Sequence, residues 1–170
     1  MPKQGSRPVN PRPRLERSDL LGWVERVATY LAADGMPPIA GRILGWLMIC
    51  DPAEQSAAEI ADAIGASRAS LTTNLRVLAA MGFVSRRTRS GSRTAYYRVD
   101  EDAWEKVVRR QVASLRSLGE IVDAGLDLVG RGSARAGRIR AAHEIFLWMT
   151  RAFEDAPPLP SGKRWSERIE

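Results

Sequence analysis

The chain of 170 residues has few of the side chains that catalytic and metal sites most often use. It contains one cysteine, Cys50, and one histidine, His143. A single cysteine excludes an intramolecular disulfide, and a thiolate zinc site would need ligands from elsewhere. Cys50 follows an apolar run and is interpreted as a small core residue, and His143, beside Glu144, is interpreted as a structural or surface residue. We therefore predict no catalytic residue, no metal and no cofactor, and hence no enzyme.

Long apolar stretches are also missing. No run of apolar residues approaches the ~18 residues of a membrane span, and the N-terminus lacks the apolar stretch of a signal peptide. Hydrophobic residues make up 44% of the chain and charged residues 27%, a balance typical of a soluble globular protein. The expectation is a cytoplasmic protein with no membrane partner.

Acidic residues are missing from one segment in particular. Residues 66–98 contain seven arginines and no Asp or Glu, so they carry a charge of +7. Their neighbours, residues 18–65 and 99–130, carry −5 and −3, and residues 1–17 carry +4. The net charge of +6 alone favours any polyanion. Because the positive charge is concentrated in residues 66–98, this segment is the candidate binding site for such a partner.

Hydrophobic spacing and capping signals predict a mainly α-helical chain with one hairpin. Ser56 and Glu59 have the spacing of a capping box, and Ser67 is a candidate N-cap. The apolar second helix is interpreted as the central element, with Gly41 and Gly45 allowing close helix packing. The predicted helices cover residues 18–33, 38–50, 57–64, 67–81, 102–129 and 136–153, and the predicted strands cover 83–88 and 94–99.

Two short helices joined by a Gly-containing turn, followed by a basic hairpin, predict a winged helix-turn-helix with a two-stranded wing. A major groove admits one helix, whose polar side chains reach base edges, and a hairpin arginine can enter a narrow minor groove. Asn74 lies nearer the apolar face of its helix and is as well suited to a structural role. The candidate DNA-binding residues are Ser67, Arg68, Ser70, Thr72, Thr73, Asn74, Arg76, Arg86, Arg89, Ser92 and Arg93.

The segments divide into four predicted regions. Residues 1–17 form a flexible basic arm, 18–99 the DNA-binding domain with its preceding helix, 100–154 a helical dimerisation region, and 155–170 a loose tail. The long fifth helix has near-heptad apolar spacing, which predicts a homodimer unless the last helix covers that face. The apolar residues concerned are Trp104, Val108, Leu115, Leu118 and Val122.

Several short motifs in residues 35–99 resemble the MarR-type winged-helix regulators, and most closely their GbsR-like branch. These motifs are Ala40-Gly41-Arg42-Ile43-Leu44-Gly45, Ser67-Arg68, Asn74-Leu75-Arg76, Gly82-Phe83-Val84 and Gly91-x-Arg93 with Tyr96-Tyr97. The resemblance implies a cytoplasmic homodimer, usually a repressor, with residues 67–76 as recognition helix and Arg93 as wing arginine. The family often has Asp before that arginine, whereas this chain has Ser92 and so lacks the carboxylate that would orient Arg93.

The residues and the resemblance together predict a sequence-specific transcriptional regulator that binds duplex DNA as a homodimer. The resemblance further implies that it represses and that it responds to a small-molecule effector of unknown identity. Aromatic cages can bind quaternary cations, and Trp23, Tyr30 and Trp46 would form one only if they converge. No effector residue is assigned. The alternative is a winged-helix protein-interaction module that binds an acidic partner without DNA.

Overall fold

A computed structural model describes residues 16–91 and 93–157 of the chain. It confirms the mainly helical winged-helix architecture. Ser92, most of the predicted arm (residues 1–15) and most of the predicted tail (residues 158–170) lie outside the described residues. The elements in chain order are α1 (Arg17–Ala33), α2 (Pro38–Ile49), β1 (Gln55–Ser56), α3 (Ala57–Ile64), α4 (Arg68–Met81), β2 (Ser85–Thr88), β3 (Ala95–Arg98), α5 (Ala103–Val129) and α6 (Ala136–Glu154).

Helix α2 is the central element, as its apolar sequence predicts. Ile43 and Leu44 are fully buried, and they pack in one core with side chains from α3 and α4. Helix α1 lies directly against α2. A Cβ atom on Gly41 would lie 2.7 Å from the Cα of Ala28, so the two helices approach backbone to backbone. The predicted role of Gly41 in close packing is confirmed.

The boundaries of α3 and α4 follow from their caps. The Ser56 hydroxyl accepts a hydrogen bond from the Glu59 backbone N–H, and the Glu59 carboxylate accepts one from the Ser56 backbone N–H at 2.6 Å. This confirms the predicted capping box. The Ser67 hydroxyl caps α4 by accepting from the Ser70 backbone N–H. Both helices end at a glycine with positive φ, Gly65 and Gly82, a backbone conformation that favours glycine.

The sheet has three antiparallel strands in the order β1-β3-β2, one strand more than the sequence predicted. The extra strand, β1, is only two residues long and pairs Gln55 with Tyr97 and Ser56 with Tyr96. The hairpin strands are also shorter than predicted. Phe83 and Val84 precede β2 and are buried in the hydrophobic core, and β2 itself covers only Ser85–Thr88.

Helices α5 and α6 form an antiparallel pair. The Phe83 and Trp104 rings meet edge to face with centroids 5.2 Å apart, which attaches the start of α5 to the hydrophobic core around α2. Further along α5, Gly119 contacts Phe146 and Gly125 contacts Ile139 of α6. None of the helices in the described part of the chain is long and apolar enough to cross a membrane.

Candidate nucleic-acid interface

Helix α4 presents one apolar and one polar face. Its three leucines, Leu71, Leu75 and Leu78, occupy positions i, i+4 and i+7 and are buried in the core. The opposite face is exposed and carries the predicted candidates Arg68, Thr72, Thr73 and Arg76. Because the leucines fix the helix on its apolar side, the polar face is held toward solvent, and no element of the described part of the chain covers it.

The two threonines use their hydroxyl hydrogens within the helix. Thr72 Oγ1 donates to the Arg68 carbonyl at 3.0 Å, and Thr73 Oγ1 donates to the Ala69 carbonyl at 3.4 Å. Each hydroxyl keeps acceptor lone pairs, and each side chain keeps a methyl group. In this rotamer they can accept from an exocyclic amino group of a base or contact a thymine methyl.

Asn74 is placed differently from the other α4 candidates. It is half-buried, and its Nδ2 donates to the Ser70 carbonyl at 2.8 Å and approaches the Ser70 hydroxyl at 3.4 Å. A side-chain amide that bonds back to its own helix has a structural role available to it without DNA. The geometry favours the structural interpretation of Asn74 and leaves Ser70 half-buried beside it.

The seven arginines of residues 66–98 fall into two groups. Three have carboxylate partners: Arg87 and Arg98 with Glu54 and Asp100, and Arg89 with Glu54. The other four, Arg68, Arg76, Arg86 and Arg93, have no carboxylate within 4.0 Å among residues 16–91 and 93–157. All four are exposed, so they are the arginines available to phosphate or base edges.

The strand register places Arg86 and Arg87 on opposite faces of the sheet. Arg86 is paired with Tyr97, whose ring packs against the core, and Arg87 is paired with Tyr96 on the outer face. The Arg89 guanidinium lies 4.1 Å from the centroid of the Tyr96 ring. Arg89, a predicted DNA contact, therefore stacks on the outer face of the sheet rather than extending from the wing.

Glu54 and Gln55, which precede α3, contribute to this site, and no pattern in the sequence indicated them. Gln55 is buried, and its Oε1 accepts a 2.7 Å hydrogen bond from the Trp46 indole Nε1. Glu54, its neighbour, is the carboxylate shared by three arginines. A two-residue strand gives almost no periodic signal, so only its distant partner on β3 identifies it. Of the aromatic residues considered for a cation cage, Trp46 packs against the hydrophobic core, whereas Tyr30 is mostly exposed.

The side chains set aside as non-catalytic have ordinary surroundings. Burial raises the pKa of the Cys50 thiol, which disfavours the thiolate that a nucleophile or metal ligand needs. His143 Nδ1 lies 3.5 Å from Asp123 Oδ1, across the contact between α5 and α6. In the part of the chain that the structure describes, no group of three or more His, Cys, Asp or Glu side chains is arranged to hold a metal ion.

A cleft of about 640 Å³ separates α4 from the first half of α5. Its wall is mainly apolar, with Val77 and Met81 of α4, Val107 of α5 and the segment before α2 at Met36. Arg110 Nη1 donates to the Ala80 carbonyl at the edge of this cleft, joining the two helices. The cleft therefore touches both α4 and α5, the helix that was predicted to form the dimer.

A helix-turn-helix with an exposed basic helix and a basic hairpin defines the class of winged-helix DNA-binding proteins. A model of the MarR family matches residues 34–93, and a model for MmpR5-like MarR family transcriptional regulators matches residues 102–156. The HTH-type transcriptional regulator MmpR5 of Mycobacterium tuberculosis is 32% identical over 139 residues, which cover 81% of this chain and 84% of that protein.

Structural comparison agrees with this assignment. A crystal structure of a transcriptional regulator is 31% identical, aligns with a TM-score of 0.70, and covers 88% of this chain and 99% of its own. The chain belongs to the MarR family of transcriptional regulators. It is accordingly a DNA-binding regulator of transcription, in a family defined by regulation rather than by catalysis.

Proposed function

We propose that the chain is a homodimeric, sequence-specific repressor that inserts α4 into the major groove and the tip of the wing into the adjacent minor groove. The single observation that carries this proposal is the sorting of the arginines. Arg68 and Arg76 on α4 and Arg93 at the wing have no described carboxylate partner, whereas the arginines on the outer face of the sheet do. A DNA-bound repressor acts where the chromosome is, so the proposal places the protein in the cytoplasm.

The homodimer is supported by apolar surface on the α5–α6 pair. Ile121 and Leu128 of α5 are 67% and 87% exposed, and Ile145 and Trp148 of α6 are 58% and 68% exposed. A single chain leaves these side chains in water, and covering them by a second copy recovers their burial energy. Of the apolar residues predicted for this role, Leu115 and Val122 are half-buried, Leu118 is exposed, and Ile121 and Leu128 were not among them.

A two-fold axis through that helical surface would pair two recognition helices. Dimeric helix-turn-helix proteins read half-sites about one helical turn, ~34 Å, apart, so the operator is expected to be a near-palindrome. Placement in the GbsR-like branch of the family rests on the motifs of residues 35–99 and stays a prediction.

The proposed effector site is the cleft between α4 and α5. Its volume of about 640 Å³ lies within the range of small-molecule sites, and its wall is mainly apolar. A ligand there would bias the angle between the recognition helix and α5, and so the spacing of the two recognition helices in a dimer. Titration of effector candidates against the operator complex, monitored by anisotropy, tests this step, since a true effector changes operator affinity.

Selection from a pool of random duplexes tests the proposal as a whole. Bound fragments should converge on one near-palindromic sequence. The expression of a reporter gene placed behind that sequence should decrease when the protein is produced. A pool that does not converge, while an acidic protein partner binds with a defined stoichiometry, would favour the protein-interaction module instead. A reporter that rises in expression would overturn the repressor assignment alone.

A further inference from the structure

We infer that Glu54 is a positioning residue that restrains the arginines on the outer face of the sheet, Arg87, Arg89 and Arg98, and thereby weakens sequence-independent binding to DNA. The inference rests on the proposed docking of the wing against duplex DNA. Glu54 is not part of the recognition helix or of the hairpin. It reaches the hairpin arginines from the segment immediately before β1.

The topology explains how one carboxylate meets three arginines. Gln55 is paired with Tyr97 and points into the core, so the preceding residue, Glu54, lies on the outer face beside β3. Its Oε1 is 3.5 Å from Arg98 Nη1 and 3.9 Å from Arg87 Nε, and its Oε2 is 3.8 Å from Arg89 Nη2. The Trp46–Gln55 hydrogen bond fixes the backbone that carries it.

The three Glu54 contacts are weaker than the contact between Asp100 and Arg98 on the same face. Asp100 accepts from Arg98 Nε at 2.7 Å, a short charge-assisted hydrogen bond. The three Glu54 contacts are longer than a hydrogen bond, and the Arg87 and Arg89 side chains are more than half exposed. Arg98 is therefore held, whereas Arg87 and Arg89 are attracted but exchangeable.

A phosphate that approaches Arg89 must displace the attraction of Glu54, and the carboxylate then remains near the DNA backbone. This opposes binding equally on every sequence, because phosphates carry no sequence information. The base contacts of α4 lie on another element and are not opposed. Glu54 therefore weakens a contribution to binding that operator and non-specific duplexes share, and it leaves the base preference of α4 unchanged.

The test compares Glu54→Gln with the parent chain on a mixed-sequence duplex of about 25 base pairs across a salt series. Glu54→Gln is expected to bind about threefold to tenfold tighter at low salt, with a steeper dependence of log K on log[salt], by about 0.9 for each arginine released. Glu54→Asp, which keeps the charge, should remain close to the parent. Adding Arg89→Ala to Glu54→Gln should remove part of the gain.

Glu25→Gln is the matched control. It also removes one negative charge from an ion pair, the 2.7 Å contact with Arg42 that joins α1 to α2. Equal gains in Glu54→Gln and Glu25→Gln would overturn the inference, because they would reflect net charge alone. Weaker binding of Glu54→Gln on every duplex would also overturn it, since Glu54 would then be needed to shape the wing.

Thermal melting of each variant serves as the folding control. Should Glu54→Gln melt below the assay temperature, single substitutions in the parent chain replace it. Arg89→Ala is then expected to reduce the salt slope by less than Arg93→Ala, because Arg89 is opposed by Glu54 and Arg93 has no described carboxylate partner. Equal reductions would contradict the account, and so would a larger reduction for Arg89→Ala. If no variant or parent binds duplex DNA at all, the proposed function fails rather than the role of Glu54.

Discussion

Gly41 on α2 and Ala28 on α1 meet so closely that a Cβ atom on Gly41 would lie 2.7 Å from the Ala28 Cα and 3.3 Å from its carbonyl oxygen. The obstacle is backbone and not the end of a flexible side chain, so a substitution can be accommodated only by moving one helix. Since α2 packs in the same core as α3 and α4, a shift of α2 would also disturb the packing of α4.

Gly41→Ala should lower the free energy of unfolding by about 1–3 kcal/mol, the usual cost of overpacking a core. Gly22→Ala on α1 is the control, because nothing lies within 4 Å of its Cβ position. It should raise the free energy of unfolding by about 0.5–1 kcal/mol through helix propensity. Urea unfolding followed by circular dichroism measures both, and a stabilised Gly41→Ala would contradict the packing account.

The capping box before α3 predicts a loss of stability in acid. Hydrogen bonds from the Ser56 hydroxyl and backbone N–H lower the pKa of the Glu59 carboxyl below its ordinary value of 4.5. A carboxyl whose pKa is lower in the folded state stabilises the fold above its unfolded pKa and loses that contribution as pH falls through its folded pKa. Relative to Glu59→Gln, which retains a capping side chain without titrating, the parent should lose stability below about pH 4.5. If the free energies of unfolding of the parent and of Glu59→Gln, measured at pH 7, 5 and 3, change by equal amounts, this role of Glu59 is contradicted.

The parts of the fold that local rules determine could be predicted from the sequence. The Ser56–Glu59 box, the Ser67 cap and the terminal glycines each involve residues close in the chain, so the boundaries of α3 and α4 could be predicted from the sequence. The third strand could not, because β1 exists only through its pairing with β3 about forty residues later. The charge of residues 66–98 was visible, but the division of its arginines depends on Glu54 and Asp100, which flank that segment.

Arg76 is expected to contribute to sequence discrimination. Arg76→Ala should weaken operator binding by about 1–3 kcal/mol and relax the preference at one base pair if the guanidinium contacts a guanine bidentately. Arg109→Ala is the control, since Arg109 is on α5 and forms an ion pair with Glu105 at 2.8 Å. Anisotropy titrations on single-base operator variants measure the change. An equal loss on every duplex would reassign Arg76 to the phosphate backbone.

Arg93 is expected to act through the shape of the minor groove. Arg93→Ala should weaken binding most where A·T pairs flank the half-site, because a narrow minor groove has the strongest negative potential. Titrations on operators that differ only in these flanks provide the measurement. A loss that is independent of flanking composition would place Arg93 on the outer backbone instead.

Ile121 is expected to lie in the dimer interface. The parent should sediment at micromolar concentration with a mass near twice 18.8 kDa, and Ile121→Glu should shift it toward the monomer by placing a charge in an apolar interface. Met48→Glu on α2, an exposed position outside the α5–α6 pair, should leave the dimer intact. A monomeric parent chain would refute the proposed homodimer.

Sequence-specific binding is tested most directly by affinity for the selected operator and for a shuffled duplex of equal length, measured across one sodium chloride series. Plots of log K against log[salt] should be linear for both duplexes, with slopes of about −0.9 for each phosphate contacted. Operator binding should be at least about 10³-fold tighter than shuffled binding at physiological salt. Equal affinity for the two duplexes, or no binding to either at low salt, would contradict sequence-specific binding.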